Sequence, residues 1–246
     1  MMLEVDKLTK SFGGLVAVKE LDLHINKGEF LGLIGPNGAG KTTFFNVLTG
    51  VYHPDSGSVK FNGEDITGLP PHKICRKGIS KTHQLVRPFS NLTVLQNVTV
   101  AGYFGRPRTV QKEKSINVED KAIDLLNFVG LQGKKNQPAK NLNLIERRKL
   151  EMARALASDP ELLLLDECAA GLNPVEIEGM CAKIQEIRDR GVTLCIVEHV
   201  MKFIIKISDR IVVLDHGEKI AEGKPQEVIK DKKVIEAYMG TAYAGT

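Results

Sequence analysis

Residues Leu3-Glu4-Val5-Asp6-Lys7-Leu8 alternate apolar and polar, which predicts a half-exposed strand. Gly13-Gly14 breaks the pattern, and Val16-Ala17-Val18 with Leu21-Asp22-Leu23-His24-Ile25 resumes it. Asn26-Lys27-Gly28-Glu29 is a turn into the wholly apolar-and-glycine run Phe30-Leu31-Gly32-Leu33-Ile34. Phe44-Phe45-Asn46-Val47-Leu48 then continues as a helix. Tyr52 to Gly57 is a turn, and Ser58-Val59-Lys60-Phe61 with Asn62-Gly63 reads as a strand and a tight turn. Pro70-Pro71 opens a helix carrying Ile74, and Ile79 to Gln84 returns to extended chain.

From Leu85 to Leu156 the pattern becomes helical. Val94, Leu95, Val98, Val100 and Ala101 predict a helix capped by Thr93, and 105–117 is polar, basic and loop-like. Ala122, Ile123, Leu125, Leu126 and Val129 form one helical face over Lys121–Val129, stopped by Gly130. Asn143 followed by Glu146 has the spacing of a capping box before Leu150, Met152, Ala153 and Leu156. Strand-like runs return at Leu162–Leu165, Leu194–Val197 and Ile211–Leu214, with an amphipathic helix over Ile177–Arg190. A final hairpin after Asp215-His216-Gly217-Glu218 and a C-terminal helix close the chain.

Apolar strands alternating with helices predict an α/β fold with a mainly parallel sheet. An N-terminal antiparallel β subdomain lies beside it and a helical subdomain is inserted. The expected division is a core over 1–84 and 157–246 and a helical segment over 85–156, in one domain of 246 residues.

The chemistry centres on Gly35-Pro36-Asn37-Gly38-Ala39-Gly40-Lys41-Thr42-Thr43, which fits G-x-x-x-x-G-K-[ST] between a strand and a helix. Glycines allow turns that a Cβ would block, so successive amides can point at phosphate oxygens, and the following helix adds its positive end. Lys41 would reach the β- and γ-phosphates of a nucleoside triphosphate, and the Thr42 hydroxyl would ligate Mg²⁺. The core is therefore expected to be of the P-loop nucleoside triphosphatase type. In such sheets ligands bind beyond the carboxyl ends of the strands. Asp166 closes a four-leucine strand and would hold Mg²⁺, while Glu167 could polarise an attacking water. His199 ends another strand; it either touches the γ-phosphate or is structural. Phe12 either stacks on an adenine ring or packs in the core.

Composition narrows the picture. Hydrophobic content of 42% and charged content of 26% are those of an ordinary globular chain. Cys75, Cys168, Cys181 and Cys195 are scattered and read as buried cytosolic thiols, not a disulfide or zinc framework. No signal-peptide pattern and no long apolar span is visible, so any membrane role is expected to run through a partner. A net charge of +4 is too small to argue for nucleic acid. Residues 85–150 hold 12 Lys/Arg against 5 Asp/Glu, which is either a solvated basic face or a partner-facing one.

In this order the phosphate loop, Gln84, the Asp166-Glu167 strand end and His199 resemble the ATP-binding cassette (ABC) ATPases, from Leu3 to Gly240. The finer resemblance is to the ATPase subunits of branched-chain amino-acid importers. It rests on Arg87–Val94 with Asn97-Val98, Ala169-Ala170-Gly171-Leu172-Asn173-Pro174, Glu198-His199-Val200-Met201-Lys202 and Val234–Gly240. Lipopolysaccharide-export and urea-import ATPases share part of that pattern. The resemblance implies MgATP hydrolysis driving import through a separate membrane permease. Phe12 takes the adenine-stacking position. Gln84 takes the position that touches Mg²⁺ and relays nucleotide state, and Glu167 that of the general base. Residues 170–174 take that of the dimer-contact loop. It also implies a second ABC ATPase subunit, transmembrane permease subunits and, indirectly, a solute-binding protein. Such a chain would lie on the cytoplasmic face of the membrane as a peripheral subunit. A soluble ABC ATPase acting on ribosomes, DNA or iron–sulfur assembly is the competing class. Ribosomal types carry two cassettes and DNA-repair types a long coiled coil, and this sequence has neither.

One segment departs from the family. Where L-S-G-G-Q is expected, the chain has Leu142-Asn143-Leu144-Ile145-Glu146. That segment serves the nucleotide held by the other subunit. Ile145 brings a β-branched side chain where close backbone approach is needed, and Glu146 sets a carboxylate near a phosphate. The alternatives are a tolerated variation, with the backbone amides still aimed correctly, and a weakened site; the expectation is the latter, in an asymmetric pair, favouring a heterodimer over a homodimer, in which this chain's own loop is completed by an intact partner signature. Asn143, Leu144, Ile145 and Glu146 then form a degenerate signature. A nucleotide-binding subunit with weak hydrolysis is the alternative it leaves.

Overall fold

A computed structural model of the chain describes residues 1–83, 87–107 and 117–239. Gln84 lies outside the described residues, as does Gly240 at the end of the family resemblance. In chain order the strands and helices begin with β1 (Leu3–Phe12), β2 (Leu15–Ile25), β3 (Phe30–Ile34) and α1 (Lys41–Leu48). They continue with β4 (Ser56–Phe61), β5 (Glu64–Asp65), α2 (Pro71–Lys77), β6 (Ile79–Lys81), α3 (Val94–Phe104) and α4 (Val118–Phe128). Next come α5 (Leu144–Ala157), β7 (Leu162–Asp166), α6 (Pro174–Asp189), β8 (Thr193–Val197) and α7 (Met201–Ile207). The chain closes with β9 (Arg210–Asp215), β10 (Glu218–Gly223), α8 (Pro225–Val228) and α9 (Lys232–Met239).

Two compact units are present: Met1–Pro71 with Leu164–Thr246, and His72–Leu163. In the first, β1 is paired antiparallel with β2 (Leu3 opposite Ile25) and with β4 (Leu3 opposite Phe61), giving the order β2-β1-β4-β5. A second sheet runs β10-β9-β3-β8-β7. Its centre, β3, is parallel to β8 (Leu33 beside Val197) and to β9 (Leu33 beside Val212). Every residue of β3, β7 and β8 is buried, as a parallel strand covered on both faces requires. The edge strand β10 returns antiparallel to β9 through His216-Gly217, both at positive φ, the two-residue hairpin geometry. At the end of β3 remote from the phosphate loop, Glu29 takes Arg210 Nε at 2.6 Å and a second guanidinium nitrogen at 3.1 Å, tying the entry of β3 to that of β9.

The second unit is built around α3, α4 and α5. Thr93 and Gln96 form a reciprocal capping box, Gln96 N donating to Thr93 Oγ1 at 3.1 Å and Thr93 N to Gln96 Oε1 at 2.9 Å. Asn97, fully buried, accepts from Phe89 N at 2.9 Å and donates to the carbonyls of Phe89 (3.1 Å) and Thr93 (2.9 Å), so one amide fixes the loop before α3. The Arg154 guanidinium covers the Phe89 ring at 5.3 Å.

Two helix starts differ from the sequence reading, and one short helix is absent from it. Helix α4 starts at Val118 instead of Lys121, because Asn117 caps it and Glu119 and Asp120 suit the positive helix end. Helix α6 starts at Pro174 instead of Ile177, because Asn173 and Glu176 form a capping box with proline at the first helical position. The short α7 has no side-chain cap to announce it; Phe203 and Ile204 hold it by burial. Cys181 and Cys195 are buried, and Cys75 and Cys168 are half-buried. Burial pushes the Cys195 thiol far above its ordinary value, so it is inert packing.

Candidate functional site

The first unit brings the loop after β3 together with the ends of β7 and β8. Gly35, Gly38 and Gly40 all have positive φ (149°, 82° and 98°). A Cβ on Gly35 would stand 2.0 Å from the Leu214 carbonyl oxygen, and one on Gly40 would stand 2.1 Å from that of Ala17. Only glycine fits at these two positions. The loop is braced from both sides. Gly217 N donates to Ala39 O at 3.2 Å, and Lys19 N to Gly217 O at 2.9 Å, linking the loop to β2 and to the β9–β10 turn.

Helix α1 begins at Lys41 behind Gly40, with no side-chain cap. Its first intrahelical bond is Phe44 N to Gly40 O, so the amides of Lys41, Thr42 and Thr43 have no partner within the helix. Lys41 is buried, and its Nζ donates to Gly35 O and Pro36 O, both at 2.7 Å, which holds the ammonium inside the loop. Burial lowers its pKa, opposed by the fields of Glu167 and Asp166. Thr42 is exposed at the helix mouth. The result is a cradle of amides around a fixed cation, with two carboxylates close enough to act on that cation. It fits a polyphosphate.

Asp166, the last residue of β7, is buried. Glu167 follows in the left-handed region at φ 51°, a conformation that costs a non-glycine residue about 1–2 kcal/mol and turns the side chain off the strand line. Its amide donates to Val197 O at 2.9 Å, which sets the ends of β7 and β8 side by side. Oε1 of Glu167 then lies 3.0 Å from Nε2 of His199. Among the described residues, no group of three or more His, Cys, Asp or Glu side chains is arranged to hold a metal ion by itself. The Thr42 hydroxyl and the Asp166 carboxylate are oxygen donors of the kind that a phosphate-bound divalent cation takes.

Phe12 ends β1 and is 42% exposed, so it is not a core residue. Tyr52 meets it in an edge arrangement with centroids 5.1 Å apart, and Lys10 Nζ lies 5.4 Å from its ring centre. An exposed, supported aromatic is what a base-stacking platform requires. Tyr52 was legible in the sequence only as part of a turn.

Two other contributors escaped the motif reading. Glu198, between β8 and His199, has its carboxylate buried under backbone amides. Tyr238 on α9 is 40% exposed, and its partial burial raises the phenol. Glu236 and Ala237 of the same helix line a cleft with Pro36, Asn37, Gly38 and Ala39. Neither has a motif spacing; only the fold brings them to the loop.

In the second unit, Asn143 and Glu146 form the expected capping box at the start of α5. Glu146 N donates to Asn143 Oδ1 at 2.9 Å and Asn143 N to Glu146 Oε2 at 3.1 Å. Lys134 also pairs with the Glu146 carboxylate, and that contact leads the lowering of its pKa. Leu144 and Ile145 are exposed at 65% and 47%. The Glu146 charge is thus turned back and matched locally, a feature that residue order alone does not contain.

Residues 18–170 match the family model described as ABC transporter, and residues 218–244 match that described as branched-chain amino acid ATP-binding cassette transporter. The chain is 41% identical to the high-affinity branched-chain amino acid transport ATP-binding protein BraF of Pseudomonas aeruginosa, with 98% of each chain covered. The crystal structure of a nucleotide-free ATP-binding cassette from an ABC transporter superposes with a TM-score of 0.86 at 30% identity, covering 97% of this chain and 99% of that one. The ADP conformation of an ATP-binding cassette of an ABC transporter gives 0.85 at 30% identity, covering 97% and 98%.

Proposed function

This chain belongs to the ABC transporter family as an ATP-binding, ATP-hydrolysing subunit, and from that premise we propose that it drives uptake of a branched-chain amino acid through a separate permease. The observation that carries the cargo class is the match of residues 218–244 to the branched-chain family model, supported by the likeness to BraF along the whole chain. Among the described residues no helix is long and apolar enough to cross a membrane, so the permease is a partner in this reading. The subunit sits against it as a peripheral component on the cytoplasmic face. A solute-binding protein delivers the cargo from the other side.

In this proposal ATP lies with its base on Phe12 and its phosphates over Gly35–Thr43. Lys41 neutralises phosphate charge without moving, since the loop carbonyls already hold it. Thr42 and Asp166 would hold Mg²⁺, which would supply Lewis-acid stabilisation of the phosphoryl group. Glu167 accepts the proton of the attacking water, and His199 keeps that carboxylate oriented toward it.

The pair of subunits is asymmetric. The two residues of the α5 capping box spend their side chains on each other and on Lys134, and two bulky apolar side chains stand exposed between them. This surface is a poor donor to the partner's phosphate, so an intact signature comes from a different second subunit. The test is expression with its candidate permeases and measurement of ATP-dependent leucine uptake in vesicles. Uptake should require this chain and vanish with Glu167→Gln. Uptake that persists without the chain would overturn the cargo assignment.

A further inference from the structure

Glu198 is 1% exposed, an unusual place for a carboxylate. Its partners are backbone amides from two loops. Ala169 N donates to Oε1, and His199 N donates to Oε2 at 3.1 Å. Ala169 lies two residues beyond Glu167, in the loop that leads through Gly171 to Asn173 and the start of α6. His199 is the residue that touches Glu167. One buried carboxylate therefore spans the chain following the proposed base and the chain carrying its partner.

We propose that Glu198 is a positioning residue for ATP hydrolysis: it locks the Glu167–Ala169 segment to the His199 loop so that Glu167 and His199 keep one geometry. The inference rests on the site reading in which Glu167 is the base. Charge-assisted bonds from several amides to one group are stronger and more directional than neutral ones. Burial raises the Glu198 pKa, the nearby Glu167 charge adds to the rise, and the amide hydrogen bonds oppose both. A glutamine of the same shape has one acceptor oxygen in place of two. It would turn an NH₂ group toward an amide N–H and release one of the two loops. The phosphate loop is held by other bonds, to Ala39, Gly217 and Lys19, so nucleotide binding is independent of this lock.

The experiment compares parent, Glu198→Gln, Glu198→Asp and Glu167→Gln in the full chain assembled with its partner subunits. It measures kcat and KM for ATP, nucleotide affinity and melting temperature. Glu198→Gln should lose about tenfold or more in kcat with KM and affinity within about twofold. Glu198→Asp, which keeps the charge but is one methylene shorter, should fail to rescue. Should the glutamine variant melt below the assay temperature, the aspartate variant carries the same expectation. An unchanged kcat, full rescue by aspartate, or an equal loss in affinity and melting temperature would overturn the proposal. If Glu167→Gln itself leaves kcat intact, the site reading falls, and this inference with it.

Discussion

Nε2 of His199 and Oε1 of Glu167 lie 3.0 Å apart, joining the ends of β8 and β7 across the mouth of the phosphate loop. The contact is made possible by the left-handed turn at Glu167, which swings its side chain out of the strand and toward the neighbouring loop. A strained backbone at a residue that also bonds the adjacent loop is the kind of geometry found at reacting centres.

Replacing Glu167 by Gln should lower kcat for ATP by about 100- to 10,000-fold, the range that general-base catalysis contributes. Nucleotide affinity should hold, because Lys41 and the α1 amides are untouched. Steady-state hydrolysis and equilibrium titration with ATP check this. A variant that binds ten times more weakly at unchanged kcat would mean that Glu167 acts in binding alone.

The loop glycines are not equivalent. At Gly40 a Cβ meets the Ala17 carbonyl at 2.1 Å with φ at 98°, whereas Gly38 has φ 82° but nothing within 4 Å. Gly40→Ala should therefore cost about 2 kcal/mol or more in stability and lose ATP binding. Gly38→Ala should cost about 1–2 kcal/mol, from backbone strain alone. Thermal melts of the two variants, with and without MgATP, separate clash from strain.

The Glu29–Arg210 pair makes stability depend on acidity. Burial would raise Glu29, but its hydrogen bonds from Arg210 and from Asn26 N hold its pKa below the ordinary 4.5. A depressed carboxyl contributes stability that is fully present above the unfolded value and is lost as pH falls through the folded one. Glu29→Gln should thus cost about 1.5 kcal/mol near pH 7, since Arg210 keeps Glu222 as a partner. That difference should shrink as pH drops below 4.5 and vanish under the folded pKa. Paired denaturation curves across acidic pH check the sign.

Much of this molecule was legible because local patterns and tertiary demands agree. The loop from Gly35 to Thr43 needs its glycines for steric reasons that hold for any chain of that path, and the Leu162–Leu165 run is buried throughout as its composition requires. Thr93 and Asn143 cap the helices they were expected to cap. The missed start of α6 was present in Asn173-Pro174 and Glu176 and was outweighed by the apolar period beginning at Ile177. Glu198 and Tyr238 lie in segments that carry the finer resemblance, but their part in the site was not legible, since what they pack against is set by strand order and by the placement of α9. The pairing of Glu146 with Lys134 is equally a product of the fold.

The central claim is that this subunit carries a working base but a poor signature. The measurement is the ATP turnover of the purified full-length chain alone, beside Ile145→Gly with Glu146→Gln in one variant. The parent should turn over slowly at saturating MgATP, and the double variant should rise by about tenfold or more, as restored contacts to the partner phosphate predict. Robust turnover by the unmodified chain, unaffected by the double substitution, would contradict the account.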